Sequence, residues 1–465
     1  MDGLECSEIM LSALDRSARM DAEFYQKKFI EYQKLVKQNG CKMGELCQFL
    51  IGPFGSSYDT GNYVDTPGYR YVRGQDVKPF FLQDDAPRYM ARQDFERLKR
   101  YALEEGDILI SVVGTIGNAA IVQKRELPAI FSCKSTVVRA ERTDPYYLIA
   151  YLNSKYGRQL LLRRQRGAIQ KGLNLDDLKD LEIPHHSPQF ARSIREIATA
   201  SLADLEESRT LYHMAEERLI EGLHFEQRSL SADNTTEKRF SDIAAEGRLD
   251  AEYYQPKYDD LFARLHQSPT MDLGSMVDIT KSIEPGRAYY GDTGVPFIRV
   301  SDLSPMGVRP PSVHIPHDIE PSIERLYPRR DTILFSKDGS VGIAYKVEED
   351  MEAVTSGALL HLRIKEGMDV LPDYLTLVLN SALVRLQAER DASGTVIEHW
   401  SLDDIRQIVI PLVPPAVQQE IAVRVQESFV LRRSAQQRLD GAVRAVEIAI
   451  EQDEMVALSF LHART

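Results

Sequence analysis

One string of five residues, Asp21-Ala22-Glu23-Phe24-Tyr25, returns almost unchanged as Asp250-Ala251-Glu252-Tyr253-Tyr254, and the stretches behind it repeat in the same order. Met43-Gly44-Glu45-Leu46 is echoed by Leu273-Gly274-Ser275-Met276, and Tyr71-Val72-Arg73-Gly74-Gln75-Asp76-Val77 by Phe297-Ile298-Arg299-Val300-Ser301-Asp302-Leu303. The most specific pair is Asp107-Ile108-Leu109-Ile110-Ser111, running on to Gly114-Thr115-Ile116-Gly117, against Thr332-Ile333-Leu334-Phe335-Ser336, running on to Gly339-Ser340-Val341-Gly342. Leu152-Asn153-Ser154 matches Leu379-Asn380-Ser381, and Leu175-Asp176-Asp177-Leu178 matches Leu402-Asp403-Asp404-Ile405. Ile183-Pro184 then matches Ile410-Pro411, and Glu196-Ile197-Ala198 matches Glu420-Ile421-Ala422. The offset stays between 224 and 230 residues throughout, so the chain holds two diverged copies of one module.

Each copy mixes strand and helix signals. Ile108 to Ser111 reads as a β run entering a glycine turn, and Ala119 to Val122 resumes as a second strand. Pro145 to Leu162 and Pro372 to Leu386 change to helical spacing with proline at the start. From Gln189 to Leu223 a heptad seam runs through Ile194, Ala198, Ser201, Leu205, Ser208, Tyr212, Ala215, Leu219 and Gly222. Ile421, Val425, Ser428, Arg432, Ala435, Leu439, Ala442, Val446 and Ala449 repeat it in the second copy. A helix of that length is about 50 Å long, and its apolar seam needs cover. The two helices are expected to pair antiparallel with each other or to pack on a partner; docking of each onto its own domain is the alternative.

The expected fold is therefore α+β, two tandem mixed α/β domains each followed by a long helix. The divisions are an N-terminal helical segment (1–39), a first domain (40–188), a first long helix (189–224) and a connector that opens the second repeat (225–270). A second domain (271–415), a second long helix (416–452) and a C-terminal tail (453–465) follow. Ser229 to Glu246 is the polar, turn-rich part of the connector.

Composition narrows function by exclusion. The start of the chain lacks the uninterrupted apolar run of a secretory signal, and the most apolar segment, Ile108 to Val122, is too short to span a bilayer, so a cytoplasmic protein is expected. Cys6, Cys41, Cys47 and Cys133 form no C-x-x-C pair and read as buried free thiols. His314 and His317 lie near Asp318 and Glu320, a grouping that a surface loop explains without a metal. No nucleophile elbow, phosphate-binding loop, zinc-protease string or dinucleotide fingerprint is present, and no catalytic or cofactor-binding residues are assigned.

The net charge of −13 is the wrong sign for indiscriminate nucleic-acid binding, yet a local basic face decides such binding. Lys155, Arg158, Arg163, Arg164, Arg166 and Lys171 lie together with no acid among them, with Gln165, Gln170 and Asn174 interleaved. The loops Gly52 to Tyr63 and Ser282 to Tyr290 occupy equivalent places but differ in sequence. Ser56, Ser57, Tyr58, Asn62, Lys281 and Arg287 in or beside them are candidates for recognition. Arg73 and Arg299 coincide across the copies and suit either a phosphate anchor or an internal salt bridge.

The paired glycine-turn strings, the Leu-Asn-Ser helices, Leu-Asp-Asp leading to Ile-Pro, and the Arg195-Glu196-Ile197-Ala198 and Pro414-Pro415-Ala416-Val417-Gln418-Gln419-Glu420 openings of the long helices resemble the DNA specificity subunits of Type I restriction-modification systems. The resemblance covers essentially the whole chain. It implies two target-recognition domains, roughly Gly40 to Pro184 and Met271 to Pro411, each reading one half of a split target in double-stranded DNA. It implies an antiparallel coiled coil as spacer, contacted through Ile194, Ala198, Leu205, Tyr212, Leu219, Ile421, Val425, Leu439 and Val446. It further implies a non-catalytic subunit that docks adenine methyltransferase subunits, expected to be two, with S-adenosylmethionine bound by the partner, and a nuclease-translocase subunit. A protein-only scaffold or decoy that occupies the methyltransferase through the coiled coil is the alternative, and an enzyme of nucleic-acid modification in its own right lacks the cofactor motif it requires. The first long helix lacks the Pro-Pro-x-x-x-Gln-Gln opening of the second, so its junction is expected to be less regular.

Overall fold

A computed structural model describes residues 7–463 except 12–13, 15–18, 39, 54, 84–85, 168–170, 224, 226–230, 232–234, 242, 244–246 and 395–397. Two compact units result, residues 1–204 with 433–465 and residues 205–432.

In the first unit the module is closed by its own ends. The strand Gly40–Lys42 pairs antiparallel with Glu182–Pro184, Gly40 opposite Pro184. Tyr147 fixes this closure from within, its buried hydroxyl donating to the Pro184 carbonyl at 3.0 Å. Beyond the closure an antiparallel sheet runs in the order Cys47–Ile51, Ser135–Ala140, Ile108–Ser111, Ala119–Ile121. Ile108 to Ser111 is buried along its whole length, which is why it reads as a continuous apolar run instead of an alternating one. A second sheet, Tyr63–Val64, Tyr89–Met90, Tyr69–Val72 and Ala129–Phe131, ends in a parallel pair. Val72, Leu82, Leu109, Phe131 and Val137 share one apolar core, and Tyr58, Tyr71, Met90, Phe95 and Ile130 another.

The helix expected from Pro145 to Leu162 arrives as two, Pro145–Asn153 and Lys155–Arg163. Ser154 breaks it because its hydroxyl donates to the Tyr151 carbonyl at 2.6 Å and accepts from the Gly157 amide, ending one helix and capping the next. Asn153 reaches across to the edge strand, donating to the Ala119 carbonyl at 3.2 Å. Those two contacts explain the repeated Leu-Asn-Ser string.

The second unit uses the same frame. Thr270–Asp272 pairs with Val409–Pro411, and Tyr374 donates to the Pro411 carbonyl at 2.6 Å. Its sheet, Val277–Lys281, Leu359–Ile364, Ile333–Ser336 and Ala344–Lys346, has the strand order of the first. The expected helix from Pro372 to Leu386 is again split, into Pro372–Asn380 and Ala382–Asp391, and Asn380 donates to Ala344 at 2.8 Å. The accessory strands differ: His314–Ile315, Val295–Ile298 and Val354–Thr355 form three strands where the first module has four, and Leu303–Ser304 with Gly307–Val308 adds a hairpin.

The long helices span Pro188–Gly222 and Pro415–Glu451, each shifted by one residue from the heptad reading. They pair antiparallel. In the first unit Asp204 meets Arg438; in the second, Ser208 and Ser428 share hydroxyls 3.0 Å apart and Arg218 meets Glu420 at 2.7 Å, so partner numbers fall as helix numbers rise. Ile194, Ala198, Leu205, Tyr212, Leu219, Ile421, Val425, Leu439 and Val446 are all buried.

The terminal segments, the cysteines and the connector gain detail. The C-terminal tail holds the helix Glu454–His462, capped by Asp453, and Glu454 accepts from the Ser187 amide at 2.7 Å and meets His186 Nδ1 at 3.2 Å at the entry to the first long helix. Of the N-terminal segment, helix is found over Lys27–Lys37, preceded by the turn Ala22–Tyr25. Cys41 is exposed and Cys133 half-buried, leaving Cys47 as the buried free thiol; Cys6 lies outside the described residues. The Ser229 to Glu246 connector falls partly outside them too, and the helix Pro256–Leu265 occupies the later connector. Among the described residues no helix is long and apolar enough to cross a membrane, and no group of three or more His, Cys, Asp or Glu is placed to hold a metal ion.

His361 gives this fold a pH dependence. Its ring is buried with Nε2 2.8 Å from the Thr355 hydroxyl, and burial pushes its pKa down from 6.5 to about 4. The unfolded chain takes up a proton below about pH 6.5 that the folded chain refuses until about pH 4, so stability is unaffected above that window and falls as pH drops through it, by at most about 1.4 kcal/mol per unit. Denaturant titrations between pH 7 and pH 4 should show a His361→Gln variant losing less stability than the wild type; parallel losses would contradict the assignment.

Candidate nucleic-acid interface

In the antiparallel four-stranded sheet that follows each closure, the first strand runs away from the closure, and the far end carries the turn after Ser111 or Ser336. In the first module Ile51 lies opposite Thr136 and Ser111 opposite Ser135 at this loop end. The turn that follows Ser111 is bound in from both sides: the Val112 amide donates to the Lys134 carbonyl at 2.9 Å, and the Leu173 amide to the Val112 carbonyl at 3.0 Å. Gly114 and Gly117 take φ values of +85° and +82°, which glycine alone adopts cheaply. Thr115 then reaches from between them, its hydroxyl 3.2 Å from that of Ser111 and from the Gly74 carbonyl. In the second copy Ser336 does this work, donating to the Ser340 carbonyl at 2.6 Å and accepting from the Ile343 amide at 2.8 Å.

Beside the first turn lies a cavity of about 580 Å³ whose walls include Thr115, Asn118, Arg158, Gln165 and Lys171. Arg158 has no ion pair among the described residues, and Lys171 has a 3.9 Å pair to Glu23, both side chains being largely exposed. Exposed Lys134 stands on the turn that binds Val112. Three cations with little compensation make this end locally positive despite the acidic chain. Lys134 was missed in the sequence because it is isolated between apolar strands; only its place in a turn at the sheet's end marks it.

The other candidates separate sharply. Arg163 is buried, donating from Nε and Nη1 to the Phe24 carbonyl and to Gln33 Oε1 at 2.6 Å, with its guanidinium 3.9 Å above the Phe24 ring. Arg164 is buried and donates to the Asp180 carbonyl at 3.1 Å, while Arg166 forms a two-toothed pair with buried Asp177 at 2.8 and 3.1 Å. Lys155 sits by the second long helix, its amide donating to Glu447 and its ammonium 5.2 Å above the Tyr32 and Tyr156 rings. Tyr58 is core: its hydroxyl donates to the Asn62 carbonyl, and burial pushes its pKa up to about 12. Arg73 and Arg299 cap turns by pairing with Asp76 and Asp302, the internal alternative foreseen for them. Arg163, Arg164, Arg166, Tyr58, Arg73 and Arg299 are withdrawn as expected DNA contacts, because each is engaged by its own module, while exposed Lys155 is turned to the second long helix. Gln170 lies outside the described residues.

Ser56 and Asn62 are exposed in their loop, and the half-buried Ser57 accepts from Arg97 at 2.8 Å through its carbonyl. In the second module Lys281 ends its strand opposite Leu360, and Arg287 follows on the same loop; both are exposed without an ion pair among the described residues.

The repeated Asp-Ala-Glu-aromatic-Tyr string supports this end from behind. Arg19 pairs with Asp21, donates to the carbonyls of Arg164 and Gln165 at 3.1 Å and lies over Phe24, while Tyr25 donates back to the Arg19 carbonyl at 3.0 Å. Arg248 repeats this with Asp250, the Asp391 carbonyl, Tyr253 and Tyr254. The string therefore holds the root of the loop that follows the second helix of each module. Arg19 and Arg248 stand two residues before the repeated Asp, a signal present in the sequence but not read.

A family model for the Type I restriction modification DNA specificity domain matches residues 41–185 and 269–429, more than half of the chain. The chain belongs to that family, and its two modules are target-recognition domains on a pair of long helices. Among solved structures it is similar to the Type I restriction-modification S subunit from M. genitalium, with 14% identity over 91% of this chain and 95% of that one and a TM-score of 0.38. It is also similar to the HsdS subunit from Thermoanaerobacter tengcongensis, with 14% identity over 92% and 96% of the two chains and a TM-score of 0.27. No curated protein matches.

The separation of buried Arg163 from half-buried Arg158 is checkable. Arg163→Gln should cost about 1.5 to 3 kcal/mol of stability, the range for losing hydrogen bonds to a buried charged group, while Arg158→Gln should change unfolding by less than about 0.5 kcal/mol. Denaturant unfolding of the full chain measures both, and equal effects would contradict the placement.

Proposed function

We propose that this chain is the specificity subunit of a Type I restriction-modification complex, reading a bipartite asymmetric target in double-stranded DNA through the loop ends of its two modules. The observation that carries this reading is one frame used twice with unlike loop ends. The closures, the four-stranded sheets and the Tyr and Asn locks are repeated, whereas Val112, Val113 and Gly172 of one copy stand where the other has Lys337, Asp338 and His399. Equal frames with different surfaces suit two half-sites of different sequence and do not suit a palindrome.

In this reading the chain supplies no catalytic group. The paired helices act as spacer and docking surface for two adenine methyltransferase subunits, which bind S-adenosylmethionine, and a nuclease-translocase subunit completes the assembly in the cytoplasm. Phosphate contacts from Lys134, Arg158 and Lys171 place the first module on the duplex, and Lys281 and Arg287 serve the second. Base edges are read by shorter polar groups between them, Ser56, Ser57, Asn62 and Gln165 in the first module.

Two outcomes follow. Cells carrying the methyltransferase subunit should show methylated adenines at one split sequence only when this chain is present; an unchanged methylome despite an assembled complex would favour a scaffold or decoy and overturn the proposal. Changing Lys134, Arg158 and Lys171 to Gln should each weaken DNA binding similarly on all sequences and lower the slope of log K against log salt by roughly 1. Unaltered slopes would remove these residues from the interface.

A further inference from the structure

The loop end of the second module carries a group that the first lacks. Backbone geometry there is shared: Val113 bridges to Gly172 and Arg166 to Gly172 in one copy, and Asp338 bridges to His399 and Ser393 to His399 in the other. His399 is fixed by amide exchanges with Ser393 at 2.9 and 2.7 Å, and the next residue, Trp400, donates to the Lys337 carbonyl at 2.9 Å. The imidazole is 62% exposed, with Nδ1 2.6 Å from Asp338 Oδ1, while Lys337 occupies Asp338 Oδ2. Lys281, Asp338, Ser393 and His399 line one cavity of about 310 Å³.

A carboxylate only accepts hydrogen bonds, so Nδ1 carries the proton of the neutral ring, and Nε2 is left with its lone pair. Asp338 holds the ring through Oδ1 and Lys337 through Oδ2. The exposed ring thus offers Nε2 as an acceptor at the loop end. The complementary donors on the major-groove edge of DNA are the exocyclic amino groups of adenine and cytosine.

Resting on the specificity-subunit reading, we propose that His399, oriented by Asp338, is a specificity-determining residue of the second module, its Nε2 accepting from the exocyclic amino group of one base in that module's half-site. Asp338 is a positioning residue that fixes the tautomer and the ring. The first module, with Val113 and Gly172 at these places, has no such reader and selects its bases by other groups.

The test uses the full chain assembled with its methyltransferase, reading adenine methylation across a library of targets with each position varied. His399→Ala should relax selectivity at one position of one half-site by roughly three- to tenfold, the worth of a single hydrogen bond, and leave the other half-site as selective as in the wild type. That retained half-site reports that the protein is folded. Asp338→Asn, which removes the charge and loosens the ring, should relax the same position less. Unchanged selectivity at every position with His399→Ala would overturn the proposal. So would a uniform loss of methylation with a shallower salt dependence, which would mark a phosphate contact. Absence of sequence-specific methylation with the wild-type chain would instead defeat the functional reading itself, before any variant is compared.

Discussion

Each module is closed on itself by a three-residue pairing between its first and last strands, Gly40–Lys42 with Glu182–Pro184 in one copy and Thr270–Asp272 with Val409–Pro411 in the other. That pairing decides the direction of everything else. It brings the chain's entry and exit to one end of the sheet and starts a long helix within a few residues of the exit, so the turn after Ser111 and the one after Ser336 lie at the other end. The buried tyrosine that donates to the last strand's proline carbonyl satisfies an acceptor that proline's partner strand leaves open. Burial raises the pKa of both tyrosines, so the phenols stay protonated donors at any pH the fold survives.

On that frame, change is confined to where it is cheap. Ser154 and Ser381, Asn153 and Asn380, and the Arg19 and Arg248 clamps make matching contacts in both copies: the serines end a helix, the asparagines tie it to the sheet, and the arginines hold the root of the loop that follows. Losing one strands a buried polar group, a cost of about 1 to 3 kcal/mol. Exposed positions on the loop end have no such debt. Val113 can become Asp338 and Gly172 His399 without disturbing the frame, so one frame carries two unlike surfaces.

Much of this was legible in the residues because it is local or repeated. Strand Ile108 to Ser111 with its glycine turn, the long helices to within a residue, and the buried seam from Ile194 to Val446 follow from pattern alone. The divided helices were not, since Ser154 and Ser381 act through side-chain bonds that helical spacing does not reveal. The candidate interface was the least legible part. A run of basic residues looks uniform along the chain, yet helical geometry turns Arg163 inward to Phe24 and Arg158 outward to the cavity. Arg73 and Arg299 recur for the same reason the serines do: each is spent on a buried aspartate. Lys134 and His399 are single residues whose meaning depends on strand ends far away in sequence.

The central claim is that two unlike loop ends on one frame address two separate stretches of DNA. Hydroxyl-radical footprinting of the assembled methyltransferase complex on its own methylated target tests it most directly. The account predicts two protected segments of unlike sequence, with the combined Lys134→Gln, Arg158→Gln and Lys171→Gln variant weakening protection of one and sparing the other. A single protected segment, or equal weakening of both, would contradict it.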